Sequence, residues 1–198
     1  MKEHTLLLWL WMMIPIAFSA GPANITMAAF GARFGFSRTL PFILGVNTIV
    51  LVQSLLVGFG LYGLIESYPR VFKIIQIAGV TYLLYLAYKF YRSTSTESKQ
   101  TDKLPTYRDG IILQAFNIKG FVMSTIMFSQ FLNNNENEHF AQVFILSFGL
   151  LFLTTLAMFS WTWGGSWLLT KVASKSSAKF QGYVFGSMLV FVAIWMLF

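Results

Sequence analysis

Ala20-Gly21-Pro22-Ala23-Asn24 and Asn117-Ile118-Lys119-Gly120 decide the reading of this chain. Each interrupts a stretch otherwise apolar enough to cross a bilayer. Lipid offers a loosened backbone no hydrogen bonds and an ammonium no solvation, so such interruptions persist only where they face protein or a water-filled path. Pro22 has no N–H to donate and obstructs the carbonyl one turn earlier, while Gly21 adds flexibility, so the carbonyls near Phe18 and Ser19 are partly freed. The first apolar stretch is therefore expected to be a discontinuous helix, and the fourth likewise. At about 1.5 Å per residue, Pro22 lies about 16 Å above the flank marked by Arg33, and Lys119 about 15 Å above the level of Asp109. Both distances reach the bilayer midplane.

The composition agrees with a membrane chain. Of 198 residues 56% are hydrophobic and 11% charged, against roughly 25% charged in a soluble domain. Mean hydropathy is +0.65. Seven acids and fourteen bases cannot clothe a soluble surface of this size. The net charge of +7 does not point to nucleic acid, because the basic residues lie in short loops rather than along one stripe. With no cysteine there is no disulfide framework, thiolate metal site or cysteine nucleophile.

Apolar runs near the length of about 20 residues that a bilayer requires occur at 6–30, 40–65, 71–91, 111–132, 140–169 and 180–198. The expectation is an all-α membrane protein, one domain over residues 1–198, with six transmembrane helices. The fifth run is long, and a tilted or interfacial turn is expected near Trp161, Trp163 and Trp167, residues suited to the headgroup belt. Met1 to Ala20 also has the layout of a secretory signal. The apolar stretch continues to Phe30, however, and removal would leave five spans, so it is read as a span.

Basic residues set the orientation. Arg33 and Arg38 fall in the first loop, Arg92, Lys99, Lys103 and Arg108 in the third, and Lys171, Lys175 and Lys179 in the fifth, against Lys2, Arg70 and Lys73 on the other side. The positive-inside rule puts the odd loops in the cytoplasm and both termini outside. The stretch Asn133 to His139, with two acids and no base, suits the outer side.

Lys119 is the central candidate. An unpaired charge at that depth costs about 2.5 to 3.5 kcal/mol on insertion scales. The acids are Glu3, Glu66, Glu97, Asp102, Asp109, Glu136 and Glu138, all in loops or termini, so Lys119 has no counter-ion within a span. A substrate carboxylate is the natural partner, with freed carbonyls near Gly21 and the amides of Asn24 and Asn117 available to an ammonium. The candidate substrate-binding set is thus Gly21, Pro22, Asn24, Asn117 and Lys119, and the ligand it outlines is a zwitterionic amino acid. A dibasic amino acid would add a second desolvated cation beside Lys119, so small neutral amino acids are expected. Asn47, Gln53 and Ser54 either line the path or bond neighbouring helices, and Gly182-x-x-x-Gly186 allows close packing within the chain or in a homo-oligomer.

These same residues carry a family resemblance. Ala20-Gly21-Pro22-Ala23-Asn24, Gly31-Ala32-Arg33-Phe34-Gly35-Phe36-Ser37-Arg38-Thr39-Leu40-Pro41 and Leu44-Gly45 resemble the first-span signature of the lysine exporter superfamily, in its homoserine/threonine resistance branch. Ala78-Gly79-Val80-Thr81-Tyr82-Leu83-Leu84-Tyr85-Leu86 is similar to its third-span motif, and Leu113-Gln114-Ala115-Phe116-Asn117-Ile118-Lys119 to the motif opening the fourth. Within the branch, the Asn-X-Lys form and the Trp163-Gly164-Gly165 region are most similar to cysteine/O-acetylserine exporters. The resemblance implies two inverted three-helix halves, a bacterial inner membrane, and proton-coupled export of amino acids or close derivatives. The chain departs from the family pattern at Ala20, usually proline, Ala23, usually Asn or Asp, and Ile118, usually proline.

Other functions fit less well. An intramembrane enzyme needs a Ser/His pair, paired carboxylates or a metal cluster, and the spans have none. No nucleotide-binding or other cofactor motif is present, so an ion gradient is the expected energy source, with Lys119 the only titratable side chain at depth. A helper subunit whose Lys119 meets an acid of a partner is the competing reading.

Overall fold

Backbone that cannot bond to water must bond to itself, and in the computed structural model it does so as helices. The structure describes residues 3–61, 69–92, 104–132, 136–172 and 175–195, with no strand among them. The helices are α1 (Glu3–Phe18), α2 (Pro22–Phe34), α3 (Phe36–Leu56), α4 (Pro69–Arg92), α5 (Tyr107–Ala115), α6 (Ile118–Phe131), α7 (Glu136–Val172) and α8 (Lys175–Trp195), with a single π turn, Val57–Leu61, after α3. Parts of the expected loops lie outside the described residues: Lys2, the end of the second run at 62–65, Lys99 and Lys103 of the third loop, and 133–135 of the acidic loop.

Among the described residues two helices are long and apolar enough to span a membrane, at Phe36–Gly60 and Glu138–Trp167, and the count rises to four if each bent pair is one span. The bends are 58° between α1 and α2 and 62° between α5 and α6. Proline and asparagine place them. Pro22 opens α2 at a position where its missing N–H costs nothing, preceded by Gly21 in extended conformation (φ −167°). Asn117 caps α6, its side chain accepting from Lys119 N. Lys119 and Gly120 therefore stand in the first turn of α6 rather than in the break itself, which falls at Phe116 and Asn117.

The expected turn near Trp161, Trp163 and Trp167 is absent: α7 runs unbroken for 37 residues to Val172. At about 1.5 Å per residue it is about 55 Å long, well beyond the hydrocarbon core. It continues through this stretch packed against protein. A Cβ on Gly31 of α2 would overlap the Thr162 carbonyl, and one on Gly165 would overlap that of Ala28, so α2 and α7 cross backbone to backbone. Gly45 and Gly110 do the same for α3 and α5, against the carbonyls of Tyr107 and Phe42.

The most extensive packing joins α2 to α7, α3 to α5, and α4 to α8. Each bent pair thus lies on an unbroken helix from the other half of the chain. Gly186 of α8 approaches the Tyr91 ring of α4 within the chain. One apolar core gathers Ile25, Met27, Phe42, Val46, Leu83 and Leu189. A second gathers Trp9, Met13, Met127, Val143 and Leu150 around α1, α6 and α7. Outward-facing Leu7, Trp11, Ile74, Phe140, Phe152 and Phe191 are exposed, as a lipid-facing surface requires.

Candidate functional site

The two breaks meet. In a continuous helix the carbonyls of Ala17, Phe18 and Ser19 would accept from residues 21, 22 and 23; the break frees all three, and each accepts from a side chain instead. Asn24 Nδ2 donates to Ala17 O at 2.8 Å and to Ser19 O at 2.9 Å. Trp161 Nε1, on α7, donates to Phe18 O at 3.1 Å. Lys119 Nζ, from the other break, donates to Ser19 O at 2.8 Å. Ala17 is buried, Phe18 half-buried and Ser19 exposed; a buried carbonyl left without a donor costs about 1 to 3 kcal/mol, so the donors from Asn24 and Trp161 matter most to the break.

The second break is held by amides. Gln53 Nε2 of α3 donates to Gln114 O at 3.0 Å, and Gln114 Nε2 donates back to Gln53 Oε1 at 3.0 Å. Asn117 Nδ2 donates to Gln114 Oε1 at 2.9 Å, while Asn117 Oδ1 accepts from Lys119 N at 3.1 Å. Gln53, Gln114 and Asn117 are all buried. Buried amides are tolerated because they bond one another. Gly120 leaves room for them, since a Cβ there would run into Gln114 Nε2.

Between the breaks lies a small, partly open cavity of about 40 Å³. Gly21, Asn24, Asn117 and Lys119 line it, with Gln53, Gln114 and Thr154 as further polar walls and Ala17, Val50, Met123, Leu150 and Met158 as apolar ones. Pro22 does not line it; that residue is buried and sets the break. Among the described residues no acid lines the cavity. Asp109 is engaged elsewhere, its Oδ2 accepting from Thr106 N at 2.9 Å and Thr106 Oγ1 at 2.7 Å in the capping box that opens α5. Among the described residues no three His, Asp or Glu side chains converge as a metal site would need.

Trp161 is the residue whose place sequence reading mistook. Its belt assignment is corrected: the ring is partly buried against the core and its N–H braces the first break. Gln53 and Gln114 are likewise structural members of the second break. Ser54 bonds Ser147 across to α7 at 2.9 Å, and Asn47 Oδ1 is buried with no partner among the described residues.

Comparison with known proteins gives this arrangement a setting. An uncharacterized membrane protein of Vibrio cholerae serotype O1 is 22% identical over 193 residues, covering 95% of this chain and 94% of the relative. No solved structure matches the chain. The sequence profile of the LysE type translocators matches residues 14–198. Both breaks, the second bent pair, both unbroken helices and Lys119 fall inside that match, and the chain belongs to the LysE type translocator family.

Proposed function

We propose that this translocator exports small neutral amino acids, or close derivatives of them, by alternating access at the cavity between the two breaks, with proton antiport as the energy source. The carrying observation is an ammonium, Lys119 Nζ, on a cavity wall that holds no acid. A carboxylate is the complement of that charge. Helix ends support the same assignment: α2 and α6 begin at the breaks and present the positive ends of their dipoles, whereas α1 terminates there with its carbonyls. Midplane sites built from half-helix ends are the arrangement secondary transporters use for substrates carrying both charges.

Six spans in two inverted halves fit the packing. Exchanging the halves leaves the contact of α4 with α8 unchanged and sets each bent pair against the unbroken helix of the other half, chiefly through its second half-helix, α2, in one case and its first, α5, in the other. Three spans per half make the halves antiparallel. The competing helper-subunit reading needs an acid of a partner to reach Lys119 in the cavity, and transport by the purified chain alone in liposomes separates the two.

Competition in everted vesicles tests the substrate class. Homoserine, threonine, cysteine or O-acetylserine should be carried in preference to lysine or arginine, because a dibasic side chain adds a second cation with no acid to offset it. Lysine or arginine displacing a neutral substrate at equal or lower concentration overturns the assignment.

A further inference from the structure

Lys119 Nζ does not stand free in the cavity; it crosses the gap between the breaks and donates to Ser19 O at 2.8 Å. Three features make that oxygen a seat for an ammonium. Ser19 follows the end of α1 at Phe18, so its carbonyl lies at the negative end of a helix. The neighbouring carbonyls of Ala17 and Phe18 are taken by Asn24 and Trp161, whereas Ser19 O, fixed by Asn24 at 2.9 Å, accepts the cation as well. Gly21 makes the approach open: a Cβ at that position would lie 2.8 Å from Lys119 Cδ and 3.2 Å from Nζ. The lysine stem thus lies where any larger residue at 21 would press on it.

We propose that Lys119 occupies the seat of the substrate's own ammonium, tying the two breaks together in the empty carrier, and that substrate enters by exchange. The incoming ammonium takes Ser19 O, and the carboxylate of the same molecule takes the released Lys119 Nζ. No covalent bond changes, and no proton needs to move. The exchange sets charges in the order cation, anion, cation between Ser19 and Lys119, so neither ammonium is left facing the other. It therefore demands a free ammonium and a free carboxylate close together on one molecule. An amine without a carboxylate would bring a second cation beside Lys119 with nothing between them. An N-acylated acid could pair with Lys119 but would leave Ser19 O without its cation. For the substrate this rests on the amino-acid reading above; the seat itself does not.

The test separates the two. The purified full chain in detergent is titrated with propylammonium chloride at constant ionic strength, and binding is read from the rise in thermal unfolding midpoint. Wild type is compared with Lys119→Met and Lys119→Gln, each first shown to be monodisperse. Removing the resident ammonium vacates the seat, so at least one variant should bind propylammonium tenfold or more tightly than wild type. If no monodisperse variant binds it better than wild type, the proposal is overturned. In wild type, threonine should raise the midpoint and N-acetyl-threonine should not; an equal rise with the two overturns the proposal even if neither variant folds. Should no amino acid bind wild type while a variant gains propylammonium binding, the seat stands and the amino-acid reading falls.

Discussion

Trp161 shows how much one donor can carry. Its indole N–H reaches a carbonyl 143 positions earlier in the chain, the one that Pro22 leaves without an acceptor role in the helix. Trp161→Phe keeps most of the ring and removes the N–H. The account expects a loss of about 1 to 3 kcal/mol, read as a lower unfolding midpoint in detergent, together with slower transport at unchanged membrane level. Gln53→Ala should act in the same direction at the second break, since it removes both a donor to Gln114 O and an acceptor for Gln114 Nε2. Pro22, Asn24, Asn117 and Lys119 were legible in the sequence because each is anomalous where it stands: a proline, two amides and a cation inside apolar runs. Trp161 was not, because tryptophan suits several environments and only the packing of distant helices selects one; for Gln53 the sequence left open the path or a bond to a neighbouring helix, and it does both. The carbonyls themselves were anticipated near Phe18 and Ser19; what the sequence could not supply was the identity of their donors.

At the scale of elements, the helices were readable from apolar length, and their bends from Gly-Pro and Asn. The continuity of α7 was not. Three tryptophans near its end suggested an interface turn, yet only Trp163 and Trp167 are exposed while Thr162 and Gly165 pack against α2. Adjacent glycines there give a sharp test. Gly165→Ala would drive a methyl into the Ala28 carbonyl, whereas at Gly164 a Cβ meets nothing within 4 Å. Overpacking of that kind costs about 1 to 3 kcal/mol. Gly165→Ala should therefore lower the unfolding midpoint by several degrees and Gly164→Ala should leave it within error. Equal effects would mean that the α2–α7 crossing is looser than described. The sequence offered both glycines alike, and only the rotation of α7 about its axis distinguishes them.

For the molecule as a whole, orientation follows from loop charge rather than from any contact. Arg33 stands in the last turn of α2, the half-helix that carries the first break toward the side rich in bases. If that side is cytoplasmic, alkaline phosphatase fused after Phe198 should be active and a fusion at Thr96 inactive; the opposite pattern would reverse the membrane assignment. The packing of each bent pair on the unbroken helix of the other half explains why both breaks end at one cavity, and why Lys119 can bridge them. In the proposed mechanism, function depends on that bridge. Its most direct test is transport by the purified chain alone in liposomes, wild type against Lys119→Ala, reconstituted to equal amounts. The account predicts that wild type carries at least one small neutral amino acid in response to a pH gradient and that Lys119→Ala falls to the rate of empty liposomes. Wild-type rates in the Lys119→Ala protein would contradict it.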